Sequence, residues 1–288
     1  MPIHDKALHQ ALEAACPDNL ATHAGATALA TLRNDVIAFL ERQYQVGPDL
    51  IVPPVWKDEN ESSTRFDAGN RVLTVFRNGF WSDTGQMMSG LLEALEGKFA
   101  RPGTEIKKQR FEIRIRRLSG TRTLTLFIRP FLEPSPGAYD PQSGEVAGSF
   151  LQVHDTVTGQ SRPSNPLLHF RQMSSLGAYR DTLKLLKAWQ FHEGYPLECL
   201  ALELLVLSAV ADPAANAAAT FTQRMKHVLH HSILLLEGDA ALMDPSTDEP
   251  WHDFLSPAAK QRLADRWKLI LQALQGTDPK QVLAFFPK

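Results

Sequence analysis

The sequence predicts an α+β fold in which a small mixed sheet is followed by a helical half. Residues 110–131 alternate between apolar and polar side chains, the period of a β-strand. From Tyr179 onward, apolar residues recur with helical spacing instead. Because strands and helices are segregated along the chain, we expect two lobes, residues 1–165 with the sheet and residues 166–288 with the helices.

The N-terminal third predicts helices on both sides of a first strand. The first 45 residues have the spacing of two helices, the second running from Ala26 to Tyr44. An irregular polar stretch leads to a short predicted strand, Arg71 to Phe76. A helix from Met87 to Phe99 follows, and the Pro-Gly pair at 102–103 ends it.

Residues 110–131 predict a β-hairpin with one apolar and one charged face. A turn at Ser119-Gly120 would pair Arg116 with Thr123 and Ile115 with Leu124. In that register the apolar residues share one face of the hairpin. The other face carries Glu112, Arg114, Arg116, Thr125, Phe127 and Arg129.

The remaining chain predicts one long loop and then helices only. Residues 133–165 are rich in Pro, Gly and Ser, which is typical of a functional or mobile loop, and we leave open whether it closes as a lid. Ser256-Pro257 has the chemistry of an N-cap and first turn. The predicted helices are Tyr179–Phe191, Leu197–Ala211, Asn216–Glu237 and Ser256–Gln275.

Composition excludes several classes of protein. Of the 288 residues, 43% are hydrophobic, and the net charge of −2 gives no global attraction to bulk nucleic acid or membrane, so any anion site must be local. Two cysteines, Cys16 and Cys199, do not suggest a disulfide framework or a multi-cysteine zinc site. No apolar run is long enough to span a bilayer, and the first residues do not read as a secretory signal. We therefore expect a cytoplasmic protein.

Short motifs in the helical half resemble one enzyme family. LKLLKAW at 183–189, GYPLE at 194–198 and LELL at 202–205 are followed by Met243-Asp244-Pro245 and a last helix with Trp267. This series resembles the cyclic GMP-AMP synthase / oligoadenylate synthase-like (CD-NTase-type) nucleotidyltransferases over about residues 26–286. The resemblance implies a nucleotidyltransferase-like lobe, a helical lobe and a context of bacterial antiviral defence signalling.

The resemblance also implies a site, from which this sequence departs. In that family a Gly-Ser pair at a helix start cradles the triphosphate, and three carboxylates hold two Mg²⁺ ions. The third carboxylate position aligns with Phe127, and the paired positions align with Asn70 and Val72. Another alignment puts Glu112 and Arg114 in the paired positions. Since neither alignment gives three carboxylates, we expect no catalytic residues and no cofactor, with Mg²⁺ entering only if a relocated carboxylate such as Glu112 preserves activity.

The predicted ligand site is a set of five residues, Arg114, Arg116, Arg129, Lys187 and Tyr195. The hairpin arginines would bind phosphate directly, although a solvated face with Glu112 as counter-charge is the alternative. By the resemblance, Lys187 would reach the phosphates and Tyr195 would lie near the base. The predicted function is therefore a pseudoenzyme that binds a nucleotide, a short oligonucleotide or a protein partner. An active metal-dependent synthase of a nucleotide second messenger and a structural partner subunit are the alternatives.

Three further patterns carry other hypotheses. His227, His230 and His231 have spacing that can bind zinc, but no local cysteine or carboxylate completes the set. Arg224 and His230 also fit the Arg-x5-His pattern of helical ribonucleases. A degenerate metal site built from Asp67, Glu112 and Glu133 is a third alternative.

Overall fold

The chain divides into two compact units. A sheet unit takes in residues 20–59 and 69–168, and a helical unit takes in residues 1–19, 60–68 and 169–288. The computed structural model describes residues 3–15, 23–44, 71–76, 81–119, 122–135, 138, 150–195, 197–251 and 253–286.

The sheet unit contains two helices and a mixed sheet. The elements are α2 (His23–Tyr44), β1 (Arg71–Phe76), α3 (Thr84–Phe99), β2 (Thr104–Lys108), β3 (Ile113–Ser119), β4 (Arg122–Leu132), β5 (Leu151–Asp155) and β6 (Gln160–Ser164). Strand β4 lies between β3 and β1. Strand β1 is parallel to β4, whereas the other pairings, in the order β2-β3-β4-β5-β6, are antiparallel. This mixed sheet together with the helices confirms the predicted α+β class.

One face of this sheet packs against α2 and α3 to form the core of the unit. Each helix presents apolar residues at three- and four-residue spacing, so that one side of the helix is buried. Asp83 begins α3 as its N-cap, because Asp83 Oδ1 accepts the Gln86 backbone N–H at 2.8 Å. The buried set is Leu32, Val36, Leu40, Met87, Met88, Leu91, Leu95, Val72, Phe76, Ile113, Ile115, Leu126 and Ile128.

The predicted hairpin is confirmed, but its register differs by two residues. Arg116 pairs with Thr125, and Ile115 pairs with Leu126. Ser119 pairs with Arg122, so the connection lies at residues 120–121 rather than at Ser119-Gly120. Because side chains alternate with a period of two, a shift of two leaves every residue on its predicted face.

The predicted loop at 133–165 is wrong from Leu151 onward, where β5 and β6 form a second hairpin. Leu151, Val153 and Asp155 are buried and alternate with half-buried residues, as in a strand with one core face. Pro163 argues against a central strand, but β6 is the last strand in the sheet order, where a missing N–H is tolerated. The possible lid falls largely on residues 139–149, outside the described residues.

A buried carboxylate fixes this second hairpin. Asp155 accepts hydrogen bonds from Arg110 Nη2 at 2.8 Å, from Arg162 Nε at 3.1 Å and from the Val157 backbone N–H at 2.9 Å. Burial raises the pKa of Asp155, but the hydrogen bonds from Arg110 and Val157 outweigh burial and lower that pKa below its ordinary value. The ionised carboxylate therefore ties β5 and β6 to the segment that precedes β3.

The helical unit confirms most of the predicted helices. Ser256 is the N-cap of the last long helix and Pro257 opens it, as predicted. The differences are a short 3-10 helix and a small hairpin, β7–β8, where only helices were expected. The elements are α1 (Ile3–Ala15), α4 (Pro166–Ser174), α5 (Tyr179–Glu193), α6 (Cys199–Ala211), the 3-10 helix (Pro213–Ala217), α7 (Phe221–Glu237), β7 (Leu242–Asp244), β8 (Glu249–Trp251), α8 (Pro257–Gln275) and α9 (Pro279–Leu283). Among the described helices, none has the length and apolar character needed to cross a membrane.

Helix α1 lies in the helical unit, whereas the sequence placed both N-terminal helices in a lobe spanning residues 1–165. It contacts α5, α7 and α9 through a buried apolar side that includes Leu8 and Leu12. Asp5 Oδ1 accepts the Thr222 backbone N–H at 2.8 Å and the Thr222 hydroxyl, near the start of α7. A sequence pattern shows that a helix is amphipathic but not which unit covers its apolar side.

Candidate functional site

The candidate site is the sheet face opposite α2 and α3, which we call the arginine face. Strand alternation sends its members away from the core, because their neighbours Ile113, Ile115 and Ile128 are fully buried against the helices. The structure thus brings together the three hairpin arginines predicted from sequence. The arginine face consists of Glu105, Glu112, Arg114, Arg116, Phe127 and Arg129.

Each arginine on this face has a carboxylate partner. Arg129 Nη2 lies 3.0 Å from Glu112 Oε2, and both side chains are mostly buried. Arg114 Nη2 lies 3.0 Å from Glu105 Oε2. Arg116 Nη1 is 3.9 Å from the same oxygen and its side chain is 48% exposed, so Arg116 is the least engaged and the most accessible of the three.

Glu105 is shared by more positive charges than it can neutralise. A hydrogen bond from Lys107 lowers its pKa most, and the charges of Lys107, Arg114 and Arg116 lower it further, so the carboxylate is ionised at neutral pH. Three cations around one anion leave a local excess of two positive charges on a chain whose net charge is −2. This local excess of positive charge favours anions at the arginine face.

Two guanidinium nitrogens on this face lack an acceptor. The Nε atoms of Arg114 and Arg129 are buried and have no hydrogen-bond partner among the described residues. Buried donors are nearly always satisfied in proteins, because an unmade hydrogen bond at such a donor costs about 1–3 kcal/mol. An acceptor from solvent or from a bound ligand would satisfy both donors.

The register of β1 places one of the aligned carboxylate positions in the core. Val72 pairs with Ile128 and is fully buried in the core, so it lies on the wrong face of β1 to contribute to the site. The next residue of β1, Leu73, pairs with Arg129 and alternates toward the arginine face. Leu73 offers no carboxylate. Asn70 lies outside the described residues.

The described residues of this face do not fit two Mg²⁺ ions. Mg²⁺ needs anionic oxygen ligands, whereas Leu73 and Phe127 offer none and both Glu105 and Glu112 are paired with arginine. Across the described part of the chain, no group of three His, Cys, Asp or Glu side chains could hold a metal ion.

The predicted phosphate ligand Lys187 is buried in the helical unit. Its Nζ lies 2.8 Å from Glu203 Oε1, and the other oxygen of Glu203 lies 3.0 Å from His169 Nε2. Only 3% of Lys187 is exposed. A phosphate contact at Lys187 would require this ion pair to break, and the proposed role of Lys187 stays a prediction.

Tyr195 is held by its neighbours at both ends of the side chain. Its hydroxyl donates to the Ala259 backbone oxygen at 2.6 Å, and its ring stacks on Trp189 with centroids 5.9 Å apart. Burial raises the pKa of Tyr195 above its ordinary value, and the nearby charge of Arg262 offsets only part of this shift. Tyr195 is thus a fixed aromatic platform, and its contact with a base stays a prediction.

The histidine patterns of α7 do not form the sites that their spacing allowed. His227 Nε2 lies 2.8 Å from the Ala209 backbone oxygen, whereas His230 is exposed. Arg224 Nη1 donates to the Ala219 backbone oxygen at 2.9 Å. The third histidine, His231, instead contacts Ser208 and Asp212.

Sequence reasoning missed the buried charges around Lys187. Glu203 interrupts an apolar run in a helix that is buried on nearly all sides. A single carboxylate in such a helix needs a buried cation, since an unpaired buried charge is strongly destabilising. Glu203 therefore predicts a buried cation nearby, and in the structure this cation is Lys187 of the neighbouring helix α5.

The fold is that of the cyclic GMP-AMP synthase-like nucleotidyltransferases, which confirms the resemblance at the level of fold. The structure of CdnC from Escherichia coli MS115-1 with ATP has a TM-score of 0.64 at 11% identity, over 98% of this chain and 96% of that chain. The same CdnC in complex with HORMA-deltaN has a TM-score of 0.62 at 11% identity, over 98% and 95%.

Two further solved structures are similar. Vibrio cholerae DncV, a di-nucleotide cyclase solved with GTP, has a TM-score of 0.57 at 12% identity, over 80% of this chain and 68% of that chain. The Elizabethkingia meningoseptica cyclic dinucleotide synthase CdnE, solved with GTP and Apcpp, has a TM-score of 0.53 at 12% identity, over 86% and 92%. No family model and no curated protein matches the sequence.

Proposed function

We propose that this protein binds the phosphates of a nucleotide or short oligonucleotide on its arginine face, as a catalytically degenerate member of the nucleotidyltransferase fold. One observation carries the proposal: Phe127 stands at the third carboxylate position that the resemblance gives, and it pairs with Arg114 on the arginine face. The planar guanidinium of arginine binds phosphate through two hydrogen bonds without a metal ion. Similar structures that hold ATP or GTP support a nucleotide ligand. Cytoplasmic defence signalling is the proposed context, on the resemblance.

The ion pairs on the arginine face set the expected order of contributions. Arg116 is half exposed and only distantly paired, so it contacts an incoming phosphate first. Arg114 must exchange Glu105 for the ligand, but its unsatisfied Nε gains an acceptor. Glu105 therefore competes with the phosphate for both arginines.

A calorimetric titration with ATP and with GTP, in EDTA, tests this arrangement. A hydrogen bond to a charged group contributes about 1.5–3 kcal/mol, so Arg116→Ala and Arg114→Ala are expected to weaken binding about tenfold or more. Glu105→Gln is expected to tighten binding, because it removes the competing anion. Arg266→Ala, which breaks an ion pair with Glu193 in the helical unit, is the control and is expected to bind normally. Equal affinity in all four variants would remove the arginine face from consideration.

The active-enzyme alternative rests on Glu112. Its carboxylate lies on the arginine face, beside Arg129, and would be released if Arg129 turned to a phosphate. Under this alternative, pyrophosphate release from ATP and GTP needs Mg²⁺ and disappears in Glu112→Ala. Nucleotide binding in EDTA with no release of pyrophosphate in Mg²⁺ separates the degenerate protein from the enzyme.

The second alternative is a structural subunit that binds a protein partner, and it applies if no nucleotide binds. Among its described residues, the helical unit exposes four large apolar side chains, Ile3, Leu234 (60%), Met243 and Leu269. CdnC, which has a similar fold, was solved in complex with a protein, HORMA-deltaN. A protein that gains no stability from any nucleotide, with or without Mg²⁺, would favour a structural partner subunit.

A further inference from the structure

Three residues of the helical unit form a hydroxyl–imidazole–carboxylate relay. Ser208 lies in the last turn of α6, Asp212 follows that helix directly, and His231 lies on α7. Ser208 Oγ is 3.0 Å from His231 Nε2. His231 Nδ1 is 3.5 Å from Asp212 Oδ2. The order of contacts is therefore that of a nucleophile, a general base and an orienting carboxylate.

The carboxylate of the relay is held in place by the backbone. Asp212 is the N-cap of the 3-10 helix, and its Oδ1 accepts the Ala214 N–H at 2.9 Å. That bond fixes the carboxylate and leaves Oδ2 directed to His231. The Ala214 hydrogen bond is also the main cause that lowers the pKa of Asp212, so the group is an anion at neutral pH.

An ionised Asp212 selects the tautomer of His231. It favours the proton on Nδ1, which leaves the lone pair of Nε2 to accept the Ser208 hydroxyl proton. Among the described residues, Ser208 Oγ has no other hydrogen-bond partner than His231. The serine proton thus has one direction in which to move.

The neighbours of the relay leave it accessible. His227 packs beside His231 with ring centroids 6.2 Å apart, but its Nε2 is engaged by the Ala209 backbone oxygen and does not compete for Ser208. The side chains of His231 and Asp212 are 25% and 36% exposed. A small substrate can therefore approach the relay from solvent.

We propose that Ser208 is a nucleophile that accepts acyl groups from small esters, with His231 as general base and Asp212 as positioning residue. Ser208 Oγ attacks the ester carbonyl carbon while its proton passes to His231 Nε2. The carbon–oxygen bond to the alcohol breaks, and the alcohol leaves with that proton. Water then hydrolyses the acyl-serine by the same proton route, which releases the acid and restores Ser208. This inference does not depend on nucleotide binding.

The test uses p-nitrophenyl acetate as the probe. The 288-residue protein is expected to release p-nitrophenol and to carry an acetyl group on Ser208, located by peptide mass spectrometry. Ser208→Ala abolishes this acetylation, and His231→Gln slows it about 100-fold, the range for loss of a general base. His230→Gln is the matched control, since His230 is exposed on the same helix outside the relay, and it is expected to react normally.

The variant Asp212→Asn distinguishes the role of Asp212 in the relay from its structural role as an N-cap. Asparagine is as good an N-cap as aspartate, so the melting temperature should hold while acetylation slows. A fluorophosphonate probe gives a second measurement, because it labels activated serines only. Acetyl groups on other residues with none on Ser208, or equal labelling of the native protein and His231→Gln, would overturn the proposal.

Discussion

Replacing Lys187 with methionine tests whether its ammonium belongs to the core of the helical unit. Lys187 and Glu203 are both at least nine-tenths buried, and their charged atoms are 2.8 Å apart. At that distance, with an effective dielectric constant of 20, the attraction is about 6 kcal/mol before desolvation is subtracted. Methionine keeps an apolar stem in place of the lysine stem, but it leaves the Glu203 carboxylate without the ammonium, with His169 still beside it. We expect Lys187→Met to lower the free energy of unfolding by about 3–5 kcal/mol, the range for breaking a buried pair.

Urea denaturation at pH 7 measures this loss, and two further variants interpret it. The double variant Lys187→Met/Glu203→Met removes both charges and is expected to recover most of the stability, because replacing a buried pair by apolar residues is often neutral. Lys268→Met breaks the exposed ion pair with Glu237 on the same unit and is expected to unfold like the native protein. If Lys187→Met were as stable as Lys268→Met, the buried-pair reasoning would be refuted and Lys187 would be free to bind a ligand.

Two other predictions concern the sheet unit. A Cβ atom on Gly90 would lie 2.3 Å from the Trp81 ring, so Gly90→Ala should lower the melting temperature. A Cβ atom on Gly97, in the same helix, would meet nothing within 4 Å. Gly97→Ala should therefore raise the melting temperature through the helix propensity of alanine. Asp155→Asn should cost about 3–5 kcal/mol at pH 7 by leaving Arg110 without its buried anion. Because the pKa of Asp155 is lowered in the folded protein, the stabilisation by its carboxylate is present above the unfolded pKa and disappears as pH falls through the folded pKa. The unfolding curves of the native protein and of Asp155→Asn should therefore converge between pH 7 and pH 3. A difference in unfolding free energy that stays constant over this range would contradict the assignment.

The faces of the hairpin could be predicted from sequence, whereas its partners could not. Alternation placed Arg114, Arg116 and Arg129 on one face, and this held although the register moved by two residues. The short strand β2 gave no clear pattern, so Glu105, which pairs with two of these arginines, could not be anticipated. Local periodicity predicts the face of the sheet toward which a side chain points, but an ion pair across strands also depends on which residue the neighbouring strand places opposite.

The missed elements share a physical cause. Pro163 and the glycine-rich segment before β5 are typical of loops, and an edge strand tolerates both. The amphipathic pattern of α1 fitted either unit, and only packing against α5, α7 and α9 decides between them. Lys187 has the spacing of a surface lysine on an amphipathic helix, but it is buried because Glu203 in the next helix supplies its counter-charge.

Strand β4 limits how this site can change in evolution. Phe127 and Ile128 are each paired on both sides, with β3 along one edge and with β1 along the other. Removing one residue from β4 would turn Arg129 inward toward α2 and α3 and expose Ile128, and two neighbouring strands would have to accommodate the change at once. Mutations that exchange one side chain for another leave that scaffold intact. Descent within this fold can therefore gain or lose a carboxylate here by point substitution, while insertions and deletions are confined to the turns.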